Sequence, residues 1–569
     1  MALIKKNKEY LILAFVAFLF ISPQLYYHSM IVGFDWWFHW SRFYEAAMQI
    51  KNGHINYFQS LYAFSQTGRV INAMYGGDFA YLHGLLLLIT GSWLRAEVVS
   101  GFLCSLTAGI TMFKLSRYCG LSKAISLITG IFLMGTATIV LYIQDQSFPG
   151  WASAFLPLCF IPAIRMVKQN VKQINPVFFG GAVAILISIH TFTALMYVAA
   201  IIPFWIVGMF HSRERLAMFR DSILSVAVAL VLGANTFFAM FELKGNKMIM
   251  PYPVEDLISK SIQFSTGAMS RYNLGLIFSF LAIFTIILGI TYFNKISLVE
   301  KTIFITGVIF LFVSSKYLPW NSLANHIPAL MGLQFPQRFA AIANVLLILS
   351  NGFFMMKIAE TFKEDWRKLF TNVLLTFALL GCTWGFNSIN EKAQQWRTDQ
   401  LTMDGDRLID SPKVVRQKFW SSDLSEAFET LRKSVPDYLP EYEEVKSPYP
   451  AYRKQIYENP IEFKKEVNTK DELVIQWEQS DSSEKVQVPV FIYNNSTINL
   501  NGQKIATATS EKTNIGALIV QGKAGANELI VGYEPSLLFK IGTLLKMVGL
   551  PLAIIYCIYY KFRWFKAKK

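Results

Sequence analysis

Apolar runs of similar length recur along this chain up to about residue 386, separated by polar loops of varied length. A long polar stretch, 387–540, then intervenes before one last apolar run. The runs fall near 10–29, 80–94, 97–113, 124–143, 151–167, 176–190, 192–210, 219–240, 274–293, 302–318, 339–357, 369–386 and 541–560. Roughly 17–25 apolar residues cross about 30 Å of hydrocarbon as a helix. The pattern therefore predicts a polytopic α-helical membrane protein. Within the polar stretch the period changes twice. Leu424, Phe428 and Leu431 stand at helical spacing, whereas 472–477, 486–493, 497–500, 517–520 and 528–533 alternate as strands do. Asn501-Gly502 and residues 525–527 supply turns between them. An α+β domain that ends in a small β-sandwich over 470–535 is expected.

Charge placement orients the runs. If all thirteen cross with Lys5, Lys6 and Lys8 inside, Lys114, Arg117 and Lys123 fall outside, as do Arg213, Arg215 and Arg220. This breaks the tendency of short internal loops to carry Lys and Arg. The run at 80–94 is short and contains His83, Gly84 and Gly91. Read as a re-entrant or juxtamembrane helix, it brings every basic cluster inside. About twelve crossings result, with cytoplasmic termini and outer loops at 30–79, 144–150, 241–273 and 318–338. The expected domains are a membrane domain (1–386), an extracytoplasmic domain (387–540) and a final helix with a basic cytoplasmic tail (541–569). The first run follows lysines as a signal peptide does, but no small-x-small site follows it. It reads as a retained anchor in the cell membrane.

Composition agrees. The chain of 569 residues is 53% hydrophobic and 16% charged, against about 25% charged for soluble proteins. Net charge is +15, yet the stretch 386–535 holds 23 acidic and 18 basic residues, so the excess lies in the membrane half. That is a topology signal and not a clustered basic face, and no nucleic-acid partner is expected. The five cysteines show neither metal-ligand nor redox spacing. No Walker or Gly-rich dinucleotide motif occurs, so an activated substrate carried by a lipid suits this chain better than a cytosolic nucleotide.

Candidate chemistry lies on the outer side. Asp35, His39 and Arg42 stand at spacings of four and three directly after the first run, among Trp36, Trp37, Phe38 and Trp40. They share one face if a helix starts there. A helix cap with an i,i+4 Asp–His pair accounts for them as well as a base or metal-coordinating carboxylate does. The aromatic residues read as a headgroup-level belt or as a platform for a sugar or isoprenoid. Asp145, in the turn 144–150, is either a helix cap or a second carboxylate facing Asp35. Arg338 is a cation at the outer end of a helix, explained by snorkelling or by phosphate binding through paired donors. His190 and His326 also fall on this face, where any single histidine is more simply a polar loop residue.

The segments Gly33-x-Asp35-x-x-Phe38-His39-x-x-Arg42, Gln334-Phe335-Pro-x-Arg338 and Asp437-Tyr-Leu-Pro440 resemble those of a bacterial family. These are the YfhO-like, "6-pyruvoyl-tetrahydropterin-synthase-related" multi-pass membrane proteins, grouped with the GT-C superfamily of glycosyltransferases. The run 488–493 and the turns before Tyr533-Glu534 are similar to that family's terminal β-domain. The resemblance implies a GT-C-like fold and a polyprenyl-phosphate-linked sugar donor drawn from the membrane lipid. The implied acceptor is a cell-envelope polymer such as teichoic acid or wall polysaccharide. It implies Asp35 as the catalytic carboxylate and Asp145 as a second acidic position. Arg338 and Arg42 would then bind the donor phosphate, with His39, Gln334, His190 and His326 in support. Many members carry adjacent acids in the first loop, where this chain has Asp35-Trp36. No cofactor is assigned, and a divalent cation, Mg or Mn, is left open. The rival readings are a transporter or flippase of lipid-linked glycans and an envelope-assembly scaffold. A transporter should show internal repeats and mid-helix polar residues, and neither is evident.

Overall fold

The computed structural model describes residues 7–168, 173–401, 407–408 and 410–566. Among these described residues seven helices are long and apolar enough to cross a membrane: Lys8–Tyr27, Trp93–Tyr118, Pro149–Val167, Thr191–His211, Pro336–Glu360, Glu364–Gln395 and Leu537–Tyr560. The bent pairs Lys123–Met134 with Ala137–Asp145 and Arg215–Leu232 with Ala234–Leu243 raise the number to nine. Helix length and apolarity thus account for seven to nine of the twelve expected crossings. Gly77–Thr90, Pro176–Ile189 and Gly275–Thr291 are shorter apolar helices. The 14 residues of Gly77–Thr90 reach only about 21 Å, too short for a full crossing.

Two boundaries differ from expectation for physical reasons. The helix expected at 369–386 runs from Glu364 to Gln395, beyond the anticipated domain junction. Ile389 and Ala393, four residues apart, are fully buried and carry the helix into the polar stretch. The last helix starts at Leu537 rather than 541. Its Lys546 is half-buried and engages the Asp78 carboxylate and the Asn235 side-chain oxygen.

The polar stretch holds short helices, the two-stranded pair β1 (Arg407–Leu408) and β2 (Leu431–Arg432), and two antiparallel sheets. One sheet has the order β3-β4-β10-β6-β7, built from Lys464–Val467, Leu473–Gln479, Gly525–Tyr533, Ser496–Leu500 and Gln503–Ile505. The other has the order β5-β9-β8, from Lys485–Phe491, Ala517–Gln521 and Glu511–Lys512. Register places Leu473 opposite Val531 and Ile475 opposite Leu529. These residues bury against Val486, Val488, Leu518 and Val520 of the second sheet, as period-two alternation requires. The result is a sandwich.

This domain is seated on the first loop. Arg69 donates to the carbonyls of Val435 (2.6 Å) and Asp437 (2.5 Å). Lys433 donates to Phe34 O (2.7 Å), and Lys465 to Ser65 O and Gln66 O (2.8 and 3.1 Å). The loop after Leu243 joins them, with Ile249 N donating to Leu439 O and Tyr438 N to Ile249 O. Three segments distant in sequence therefore meet above one end of the helical domain.

Candidate active site

Asp35 owes its position to a close backbone approach. A Cβ on Gly33 would lie 2.4 Å from Asp145 Cα, so only glycine lets the first loop lie against the turn 144–146. Gly33 N donates to Gln146 Oε1 (2.9 Å), Gln146 Nε2 donates to Ile31 O (2.9 Å), and Asp35 N donates to Asp145 O (3.0 Å). Behind them Glu97 accepts from Ile31 N, Trp36 Nε1 and Gln24 Nε2 at 2.9, 3.2 and 2.6 Å. The helix Trp36–Asn52 then begins with Asp35 at its N-cap position. The Asp35 side chain makes no capping bond, so the cap explanation fails. Its carboxylate faces a cavity of about 810 Å³.

The cavity lies between the first loop, the helix ends at 138–153 and 190–196, the loops 250–272 and 332–338, and residues 433–449 of the polar domain. Four cations line it: Lys260, Arg271, Arg338 and Lys433, facing the carboxylates of Asp35 and Asp437. Burial raises the Asp35 carboxyl above its ordinary range, Arg271 and Lys433 pull it back, and Asp145 adds to the rise. Burial likewise raises Asp437, opposed by Arg69. Arg271 Nη2 lies 3.1 Å from Asp145 Oδ2. Burial alone would lower this guanidinium, but Asp145 and Asp35 outweigh it and raise it.

Several candidates take roles other than those expected. Asp145 ends the helix Ala137–Asp145 and caps nothing; it is buried behind Arg271, with Oδ1 unpartnered. It is thus a partner of a cavity-lining arginine, one layer back from the cavity surface. Arg42 is fully buried and spent internally, on Asn72 Oδ1 (3.0 Å), Tyr75 O (2.9 Å), Gly76 O (3.2 Å) and His39 Nδ1 (3.2 Å). It does not line the cavity, and a phosphate would have to displace four contacts to reach it. Trp36, Trp37 and Trp40 form neither belt nor platform, since they pack in a buried cluster with Trp93 and Phe428. Phe34, Phe38 and Tyr75 are the first-loop aromatics that line the cavity. His326 is exposed, bonded to Ser322 O, and stands outside the cavity.

The other candidates converge on the cavity. His39 lines it, accepting through Nδ1 from Arg42 and stacked on Phe148 at 4.7 Å. Burial and Arg42 hold it neutral, well below the usual imidazole range. His190 lines it too, accepting from Thr193 N, and burial with Arg338 pulls it down to about 3. Gln334 sits at φ 60°, ψ −48°, a sparsely populated conformation for a non-glycine residue. Its Nε2 donates to Tyr252 O (2.8 Å), fixing two walls of the cavity to each other. Arg338 lies over the rings of Phe335 and Phe192 at 4.8 and 5.4 Å, donates through Nη1 to Leu333 O (3.2 Å) and lines the cavity. Sequence reasoning missed Lys260, Arg271 and Lys433. The hint available was their sign: basic residues in outer loops break the internal-charge tendency as Arg338 does.

Among the described residues no three His, Cys, Asp or Glu side chains gather closely enough to hold an ion. Asp145, whose carbonyl accepts from Asp35 N, is engaged through its carboxylate by Arg271.

The sequence matches no family model and no curated protein. Among solved structures, the chain is similar to the Archaeoglobus fulgidus oligosaccharyltransferase in its apo form, with TM-score 0.41 and 13% identity over 70% of this chain. The chain spans 58% of that enzyme's length. It is also similar to ArnT from Cupriavidus metallidurans bound to undecaprenyl phosphate, with TM-score 0.40 and 11% identity, covering 68% of this chain and 77% of that one.

Proposed function

We propose that this chain is a GT-C-type membrane glycosyltransferase that moves a sugar from a polyprenyl-phosphate carrier to an acceptor hydroxyl outside the cytoplasmic membrane. The observation that carries the reading is the cavity itself: one raised carboxylate, Asp35, faces a wall bearing Lys260, Arg271 and Arg338. A cationic wall suits the phosphate. A carboxylate with a raised pKa is suited to take a proton near neutral pH.

In the reaction, the acceptor hydroxyl gives its proton to Asp35 as its oxygen bonds to the sugar C1. The bond from C1 to the phosphate oxygen breaks, and the polyprenyl phosphate leaves as the dianion. Arg338 and Arg271 offset the charge that develops on that leaving group. Arg42 has no part in this step; it holds His39 and the 72–76 segment in place. A cell-envelope polymer is the proposed acceptor, following the family resemblance.

The test is transfer of labelled sugar from a polyprenyl-phosphate donor by purified protein in lipid. Asp35→Asn should lower turnover by roughly 10²–10⁴-fold, the usual worth of a general base, at unchanged protein level. Release at the wild-type rate by that variant removes Asp35 from the mechanism. No sugar release by the wild type from any such donor favours a transporter or scaffold.

A further inference from the structure

The cavity has a second wall that the donor chemistry leaves unused. Asp437 enters it from the polar domain, beside Tyr438, Tyr449 and Tyr252. Its backbone is held firmly: Arg69 donates to its carbonyl, and Tyr438 N and Leu439 O pair with Ile249. No described residue hydrogen-bonds its carboxylate, and Asp437 is half-buried in the cavity lining. A half-buried acceptor-only group with no protein donor leaves its lone pairs free for a ligand that brings hydroxyl donors. Tyr252 and Tyr449 are 51% and 41% exposed, unusually open for large aromatics, and come from different segments. Rings with open faces next to a carboxylate stack on the C–H faces of a sugar while its hydroxyls donate to the acid.

Charge selects among ligands. Asp437 repels an anion, and an anion has Lys260, Arg271, Arg338 and Lys433 to pair with in the same lining. Those cations in turn oppose a cationic ligand anywhere in the same cavity. We propose that Asp437 positions the acceptor, that Tyr449 and Tyr252 stack on it, and that this acceptor is an uncharged saccharide presenting its hydroxyl toward Asp35. The inference rests on the transferase reading for the word acceptor; the saccharide subsite itself rests on Asp437 and the two tyrosines.

Binding is measured on the full-length protein in lipid nanodiscs by saturation-transfer NMR. The probes are a neutral β-linked N-acetylglucosamine tetramer, a neutral glucan tetramer and, as the anionic control, a glycerol-phosphate hexamer. At least one neutral tetramer should bind saturably. Asp437→Asn and Tyr449→Ala should each weaken it about tenfold, as loss of a charged hydrogen bond or its stacking partner does. His326→Ala should leave it within about twofold, since that exposed residue stands outside the cavity. Asparagine is isosteric and Tyr449 is partly exposed, so both variants should melt with the wild type, which separates weak binding from misfolding. The proposal is overturned if no neutral tetramer binds, if only the hexamer binds, or if both variants bind as the wild type does. Saturable binding without transfer from any polyprenyl-phosphate donor would end the transferase reading and leave the subsite standing. Transfer that is indifferent to Asp437→Asn would do the reverse, provided binding is equally indifferent.

Discussion

Asp35 and Arg42 stand two helical turns apart at most and do opposite work. Asp35 faces the cavity with its carboxyl raised by burial and moderated by Arg271 and Lys433. The protonated form is the unproductive one for a base, so activity should be lost as pH falls through that raised pKa. Replacing Lys433 by Met removes one of the cations that lower it, so the pKa rises further and the acidic limb of the pH–rate profile should move to higher pH. A limb that stays or moves down would show that Asp35 is not the titrating base. Arg42, by contrast, is fully buried with four internal contacts. Arg42→Met leaves buried carbonyls without donors, at about 1–3 kcal/mol each, so the folded yield should fall. Arg338→Ala should raise the donor KM at normal yield. An Arg42 variant that folds well but binds donor poorly would restore it as a phosphate ligand. In the sequence the two arginines look alike, because both follow an outer-loop acid or amide; burial alone tells them apart, and burial is a property of the packed chain.

At the scale of elements, the turn 144–146 and the first loop act as one piece. Gly33→Ala puts a methyl 2.4 Å from Asp145 Cα and against Gln146 Oε1. Overpacking of this kind costs about 1–3 kcal/mol, and the melting temperature should drop together with turnover. A variant that melts with the wild type would mean that the loop and the turn can separate freely. Glu97→Leu should be worse, because three buried donors lose their acceptor at once. Much of this element pattern was legible beforehand. Apolar runs gave the helices, and alternation around Trp477, Val488 and Leu529 gave the sandwich. Glu97 was not legible, since a single acid near a helix start reads as a first-turn charge. The helix Glu364–Gln395 outruns its apolar run 369–386 because Ile389 and Ala393 keep the helical period among the polar Asn387 and Asn390.

Across the whole molecule, the cavity is assembled from segments that sequence order keeps apart: 34–39, 138–153, 190–196, 250–272, 332–341 and 433–449. Periodicity reports neighbours three or four residues away, so Lys433 and Asp437 gave no local sign of facing Asp35. The seating of the polar domain on the first loop through Arg69, Lys433 and Lys465 makes a topological demand. Whatever side of the membrane holds Asp35 must hold the sandwich as well. The bent pair Lys123–Met134 and Ala137–Asp145 starts at Lys123 and ends at the site, which puts Lys123 at the opposite end of the helical domain. Single cysteines at Asn52, Ser482 and Lys123, all exposed, test this in a background where the partly exposed Cys119 and Cys557 are serine. On intact cells a membrane-impermeant maleimide should label positions 52 and 482 alike, and position 123 only after permeabilisation. Labelling of 52 without 482 would separate the sandwich from the first loop. Labelling of 123 alone would put Asp35 in the cytoplasm, where a donor phosphosugar presented at the outer leaflet could not reach it.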